Sequence, residues 1–226
     1  GTEFGLLVKR VDVGDAAIVS LFQSFQVNLE ASALDDAVDK MVRALMIGPY
    51  ILAIGGNARY LEMTDTGFND LRILAWQLSH DTRSPENVRR GFAPRMGLPE
   101  SYLGGMREYF SRICRHPFIL FDPPHALNIG IGLTWLDTRI KFIGDSAVVE
   151  FRVLPTQPTI EDEMVLALFF VGRLAFAQIK REPLLPISIV SENRLAAILQ
   201  GLSGEFWFRD LRGTLQKGPG CVAVGC

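Results

Sequence analysis

The sequence predicts an α+β fold, a mostly antiparallel sheet with helices packed on its outer face, and three observations carry this. In Phe22–Ala31, Phe25, Val27 and Leu29 fall on one face while Gln26, Asn28 and Glu30 fall on the other, the alternation of a half-buried strand. Two further strand candidates, Gly132–Phe142 and Ala147–Val153, flank Gly144-Asp145, which reads as a hairpin turn. Segments of helical period stand between and after these strands and supply the cover that an antiparallel sheet needs on one face.

The elements follow in order. Ser32 starts a helix with an acidic first turn at Asp35; Val38, Met41, Val42 and Leu45 form its apolar face, and Pro49 stands near its end or at a break. GGNARY is a turn, and Thr64–Asn69 is a loop closed by Gly67. Leu71–His80 is helical. Asp81–Pro99, with Pro85, Pro94, Gly97 and Pro99, reads as a surface loop or lid. Glu100–Cys114 is a second amphipathic helix, and Phe118–Phe121 is a short strand. Thr159 caps a long helix to Ile179, whose first turn holds Glu161, Asp162 and Glu163 and whose end meets Lys180 and Arg181. A last helix, Ile189–Gly201, follows Pro186. The expected organisation is an N-terminal segment or cloning remnant (1–21), an α+β domain (22–203) and a C-terminal tail (204–226).

Composition sets the class. At 226 residues the chain suits one domain with a real core. Hydrophobic residues at 48% against 21% charged exclude a disordered chain. A net charge of −2 gives no basic footprint, so neither nucleic acid nor an anionic membrane is expected as a partner. The longest apolar run, VLALFFVG, is too short to span a bilayer. Three cysteines, Cys114, Cys221 and Cys226, make no disulfide framework and fit the reducing cytoplasm; the last two lie in a Gly-rich stretch that reads as a flexible tail. His80, His116 and His125 stand apart, and no HExxH or GxSxG spacing is present.

Four groups remain as candidates for chemistry. Glu150 and Arg152 share a strand face in VVEFRV; a carboxylate takes a hard cation through oxygen, and the guanidinium fork grips phosphate. Gln26, Asn28 and Glu30 present three oxygen-bearing side chains on one face. Trp135, Asp137 and Arg139 alternate on another strand, with Asp137 placed to hold Arg139. Asn57, the loop Thr64–Gly67 with Thr66, and Arg72 form a polar helix entry that offers backbone N–H groups to an anion. Each group also has an ordinary reading, as a surface ion pair, a wet strand face or a helix-entry loop.

Taken in order, these groups resemble a known family. FQVNLEAS is similar to the QVNLD strand of glutamate–cysteine ligases. AIGGNARY, MTDTGFNDLR and WQLSHDTR resemble that family's "A-x-x-ANSPF", "G-x-x-S-x-R" and "W-x-x-x-D-x-x-R" run, and PRMGLPESY, WLDTR and VVEFRV resemble the "R-x-G-x-P", "WWD-x-R" and "T-x-E-x-R" motifs of bacterial carboxylate–amine ligases. The resemblance covers Ser24 to Gln178, the C-terminal portion of such an enzyme. It implies half of a funnel-like, glutamine-synthetase-type sheet. It also implies an ATP- and Mg²⁺-dependent reaction in which the γ-carboxylate of glutamate is phosphorylated and an amine attacks the acyl phosphate. Carried over by motif, Glu150, Gln26 and Glu30 become metal ligands. Arg152, Arg72 and Arg139 become the catalytic cations, and Asn57, Asn28 and Thr66 bind substrate or nucleotide. The chain departs from the family where Asn57 is followed by Ala-Arg-Tyr and where Leu154 replaces an acid. Gly1–Gly5 only echoes the acidic first strand, and the segment that should follow it is absent.

Two functions follow from this resemblance. The first is a carbon–nitrogen ligase acting on an amino acid and ATP, as a fragment or as a short enzyme completed by another subunit. The alternative is a non-catalytic homologue that binds a ligand or another protein. Because half a funnel leaves sheet edge and apolar surface open, a homo-oligomer is expected.

Overall fold

The computed structural model describes residues 22–81, 83–115, 129–132 and 134–223. The expected strand Phe118–Phe121, the opening Gly1–Gly5, His116, His125 and Cys226 lie outside the described residues.

A three-stranded antiparallel sheet organises the molecule. It consists of β1 (Val27–Glu30), β6 (Thr138–Ile143) and β7 (Ser146–Phe151), in the order β1-β7-β6. Its register sets Asn28 and Arg139 on either side of Glu150, and Leu29 and Ile140 on either side of Val149. Successive residues point to opposite faces, so one face collects the polar row and the other the apolar row. The expected hairpin is present, with Ile143 pairing Ser146 around Gly144, which adopts φ +57°.

The apolar face rests on helix α1 (Leu34–Gly55), whose Val38, Met41 and Leu45 cluster with Ile140 and Val149. Helix α5 (Ile160–Ile179) reaches the sheet through Phe170, which stacks on Phe151 with ring centroids 3.8 Å apart. Burying such side chains contributes roughly 1.5–3 kcal/mol each. Thr159 caps α5 as expected by accepting from the Asp162 N–H at 3.1 Å. Helix α6 (Ile187–Gln200) packs along α1 and closes the second side of the core.

The remaining elements are short. Strands β2 (Tyr60–Leu61) and β3 (Thr64–Asp65) form a hairpin before α2 (Leu71–His80), and α3 (Pro85–Arg89) precedes β4 (Met96–Gly97). Helix α4 is Met106–Ile113, and β5 (Trp135–Leu136) runs parallel to β4. Helices and antiparallel-dominated sheets together make the α+β class. Among the described residues no helix is long and apolar enough to cross a membrane.

Three expectations are corrected. Pro49 does not end α1; the helix continues through it to Gly55, because Ile47, Ile51 and Leu52 are fully buried. Their burial outweighs the ~3 kcal/mol that an interior proline costs. Helix α1 begins at Leu34 rather than at Ser32; Asp35 lies in its acidic first turn as expected, together with Asp36, whose Oδ2 accepts from the Ser32 N–H and hydroxyl at 2.8 and 2.9 Å. The helix expected from Glu100 begins only at Met106, after Gly104 and Gly105, and Glu108 reaches back to accept from the Gly104 N–H at 2.7 Å. Within the expected C-terminal tail (204–226), the described residues form strands β8 (Glu205–Arg209) and β9 (Leu215–Pro219) and a helical turn α7 (Gly220–Ala223). Phe206 anchors that hairpin, fully buried in the core beside Tyr50.

Candidate functional site

The polar row of the sheet opens into a cleft of about 360 Å³. Gln26 enters it from just before β1, Arg72 and Gln77 from α2, Arg139 from β6, Arg152 from just past β7, and Arg194 from α6. Five of the nine expected site residues therefore meet here, since Glu150 lies beneath Arg139 and Arg152. The other four do not line this cleft.

Glu150 is 1% exposed and is the centre of the arrangement. Its Oε1 lies 3.0 Å from Arg139 Nε and 3.1 Å from Arg152 Nε, and its Oε2 accepts from Lys141 Nζ at 2.5 Å. Burial pushes the carboxyl up, but the Lys141 hydrogen bond and the charges of Arg139 and Arg152 override it. Its pKa sits below the ordinary 4.5. Arg139 also donates through Nη1 to the carbonyls of Ile131 and Gly132 at 2.9 and 2.8 Å, so its plane is fixed. Arg152 sits 4.6 Å over the Trp135 ring. Burial first, and then the neighbouring Arg139 charge, pull its pKa down to about 10, with Glu150 and Asp137 opposing. It remains a cation at neutral pH.

A second pair closes the far wall. Arg194 meets Asp137 in a two-point contact, Nε to Oδ2 at 2.6 Å and Nη2 to Oδ1 at 3.0 Å, and donates through Nη1 to Gln77 Oε1 at 2.9 Å. This overturns one expectation, because Asp137 holds Arg194 and not Arg139. Strand β5 ends at Leu136 and β6 begins at Thr138, so Asp137 sits at a junction that aims its carboxylate at α6. Arg194 was not among the expected residues. Its signal is position: with Val190, Ala197 and Ile198 it shares the apolar face of α6, and a guanidinium at apolar spacing needs a buried partner.

Arg72 forms the floor at 3% exposure. It donates to the Val153 carbonyl at 2.6 Å and lies 3.8 Å from Asp70, which is fully buried. Among the described residues, Arg72 Nε and Asp70 Oδ2 have no hydrogen-bond partner. Burial drives Asp70 up and Arg72 down, and each charge opposes the shift of the other. In total, Arg72, Arg139, Lys141, Arg152 and Arg194 face Asp70, Asp137 and Glu150. Around Glu150 itself three cations stand against one carboxylate, a local surplus of two positive charges, and two of the three, Arg139 and Arg152, line the cleft; this suits an anion.

The remaining expected residues lie elsewhere. Asn28 is exposed on β1 opposite Glu150. Glu30, two residues on, accepts from Ser146 Oγ at 2.8 Å and borders a separate hollow with Lys40. Asn57 donates to the Thr156 carbonyl at 2.8 Å and borders a shallow hollow on the other side of Arg72. Thr66 is buried, and its hydroxyl donates to the Arg59 carbonyl at 2.5 Å. The helix entry expected to receive an anion is already occupied, since Asp70 caps α2 by accepting from the Ile73 N–H.

The motif order is matched by a family model for glutamate-cysteine ligase family 2 over residues 8–208. The chain belongs to glutamate-cysteine ligase family 2. The match takes in every residue of the basic cleft and all but the last residue of strand β8. A search of curated proteins gave no match for this family member.

The magnesium expected from the resemblance can be tested against the donors. Both oxygens of Glu150 are held by cations, and among the described residues no three His, Cys, Asp or Glu side chains gather. Mg²⁺ prefers carboxylates and water in octahedral array, and the described donors do not fit it. The same surplus of guanidinium groups does fit phosphate.

Proposed function

We propose that the chain is a carboxylate–amine ligase that uses ATP, with the basic cleft as its site for the phosphate and the activated carboxylate. The family membership over residues 8–208 carries the reaction class, and the charge surplus around Glu150 supports the place. In the reaction proposed, the carboxylate oxygen attacks the γ-phosphorus of ATP and ADP leaves. An amine then attacks the acyl carbon, an amide bond forms and phosphate departs. Such transfer depends on positioning and on cations aimed at developing negative charge.

The chain's own groups divide this work. Arg152 and Arg139 present their forks to anionic oxygens, and Glu150 holds both in place from beneath. Arg72 closes the floor. The polar face of β1, β7 and β6 would be the inner wall of the half-funnel that the resemblance implies. The cytoplasm, where ATP is plentiful, suits this reading. The described residues assign no ligands to magnesium, so no step is routed through it.

The test is coupled ADP release with glutamate and a panel of amines. Release that requires both acid and amine, with an amide product by mass, supports the reading. Release unaffected by the amine contradicts it. A second reading, a homologue that binds the anion without turnover, is favoured by Glu150 being saturated with cations. It predicts ATP binding with no product.

A further inference from the structure

Helix α5 carries two apolar faces. One, through Leu166, Phe170, Leu174 and Ala177, is buried in the core. The other runs along Ile160, Met164, Val165, Leu168, Phe176 and Ile179 and is open, from 53% exposed at Phe176 to 78% at Ile179. A helix that is apolar all round belongs inside an assembly. These six large apolar side chains lie together on one exposed helix face, and a contiguous apolar patch of this kind marks an interaction surface.

Charge selects the occupant. The first turn of α5 holds Glu161, Asp162 and Glu163, and Lys180 and Arg181 follow its last residue. A second α5 laid parallel would set acid against acid. Laid antiparallel, it sets each acidic end beside a basic end, so the surface is complementary to itself across a two-fold axis. Near the middle, Gly172 is exposed and a Cβ there would meet nothing within 4 Å among the described residues, which lets the two backbones approach.

We propose that α5 is the contact of a homodimer, two copies packing antiparallel across an axis near Leu168 and Gly172. Of the sheet edge and apolar surface from which self-association was expected, the contact uses apolar surface, on a helix. It does not depend on the ligase reading.

Sedimentation velocity of the full chain from about 1 to about 100 µM tests it. The wild type is expected to form a reversible dimer. Leu168→Glu, at a side chain that is 63% exposed, is expected to leave a monomer with unchanged helical circular dichroism. Glu161→Lys is expected to weaken association about tenfold, and adding Lys180→Glu to the same chain is expected to restore it. A wild type that stays monomeric at the highest concentration overturns the proposal. So does a Leu168→Glu or Glu161→Lys dimer as tight as the wild type.

Discussion

Asp137 and Glu150 are both held by arginine, and they are held differently. Asp137 and Arg194 form a closed pair: two short hydrogen bonds, one neighbouring amide, and matched charge. Glu150 sits under two guanidinium groups and an ammonium, so its surroundings carry more positive charge than it cancels. The first arrangement is satisfied internally and serves the fold. The second is left with attraction for another anion. Buried charge marks a binding site where the local sum is not zero, and the same residue types mark structure where it is.

Breaking the closed pair should have the largest effect. Asp137→Ala leaves Arg194 buried without its partner, and about 3–5 kcal/mol of stability should be lost in denaturant unfolding. Full stability would mean that the pair is not the structural one. Glu150→Gln keeps the shape but removes the charge that holds three cations together, and should cost about 2 kcal/mol. It should also tighten binding of inorganic phosphate.

The same variant carries a pH signature. Because the folded pKa of Glu150 lies below the ordinary 4.5, its contribution is present above that value. It is lost as pH falls through the folded value. Stability against pH should therefore drop in acid for the wild type and be flatter in Glu150→Gln. A smaller effect is expected at Arg152. Arg152→Lys keeps the charge but loses the fork and the stacking on Trp135. ADP release should fall about tenfold, while thermal stability stays within about 1 kcal/mol. Smallest of all, Arg59→Ala removes an exposed pair with Asp65 and should leave the denaturant midpoint unchanged.

Much of this was legible in the sequence, for reasons that differ by element. The hairpin around Gly144 and the helix from Thr159 were readable because turn and cap chemistry act within a few residues. The row of Gln26, Glu150, Arg152 and Arg139 was readable because strand alternation fixes which side chains share a face. Pro49 misled because local propensity was outweighed by burial that only the tertiary fold supplies. The Asp137–Arg194 pair joins residues 57 apart in sequence, and no local pattern encodes which of two nearby arginines a carboxylate will take. Asn57 matched a motif position and Thr66 lay in the loop expected to meet an anion, yet their hydrogen bonds go to backbone carbonyls. A residue type at the right spacing does not say whether its donors are already used.

The central claim is that the cations around Glu150, rather than those paired elsewhere, receive the phosphate of the nucleotide. Calorimetric titration of ATP into the wild type and into Arg139→Ala tests it most directly, because Glu150 keeps Lys141 and Arg152 as partners in that variant. The account predicts a saturable wild-type site and at least about a tenfold loss of affinity in Arg139→Ala. Equal affinity in the two proteins would contradict it.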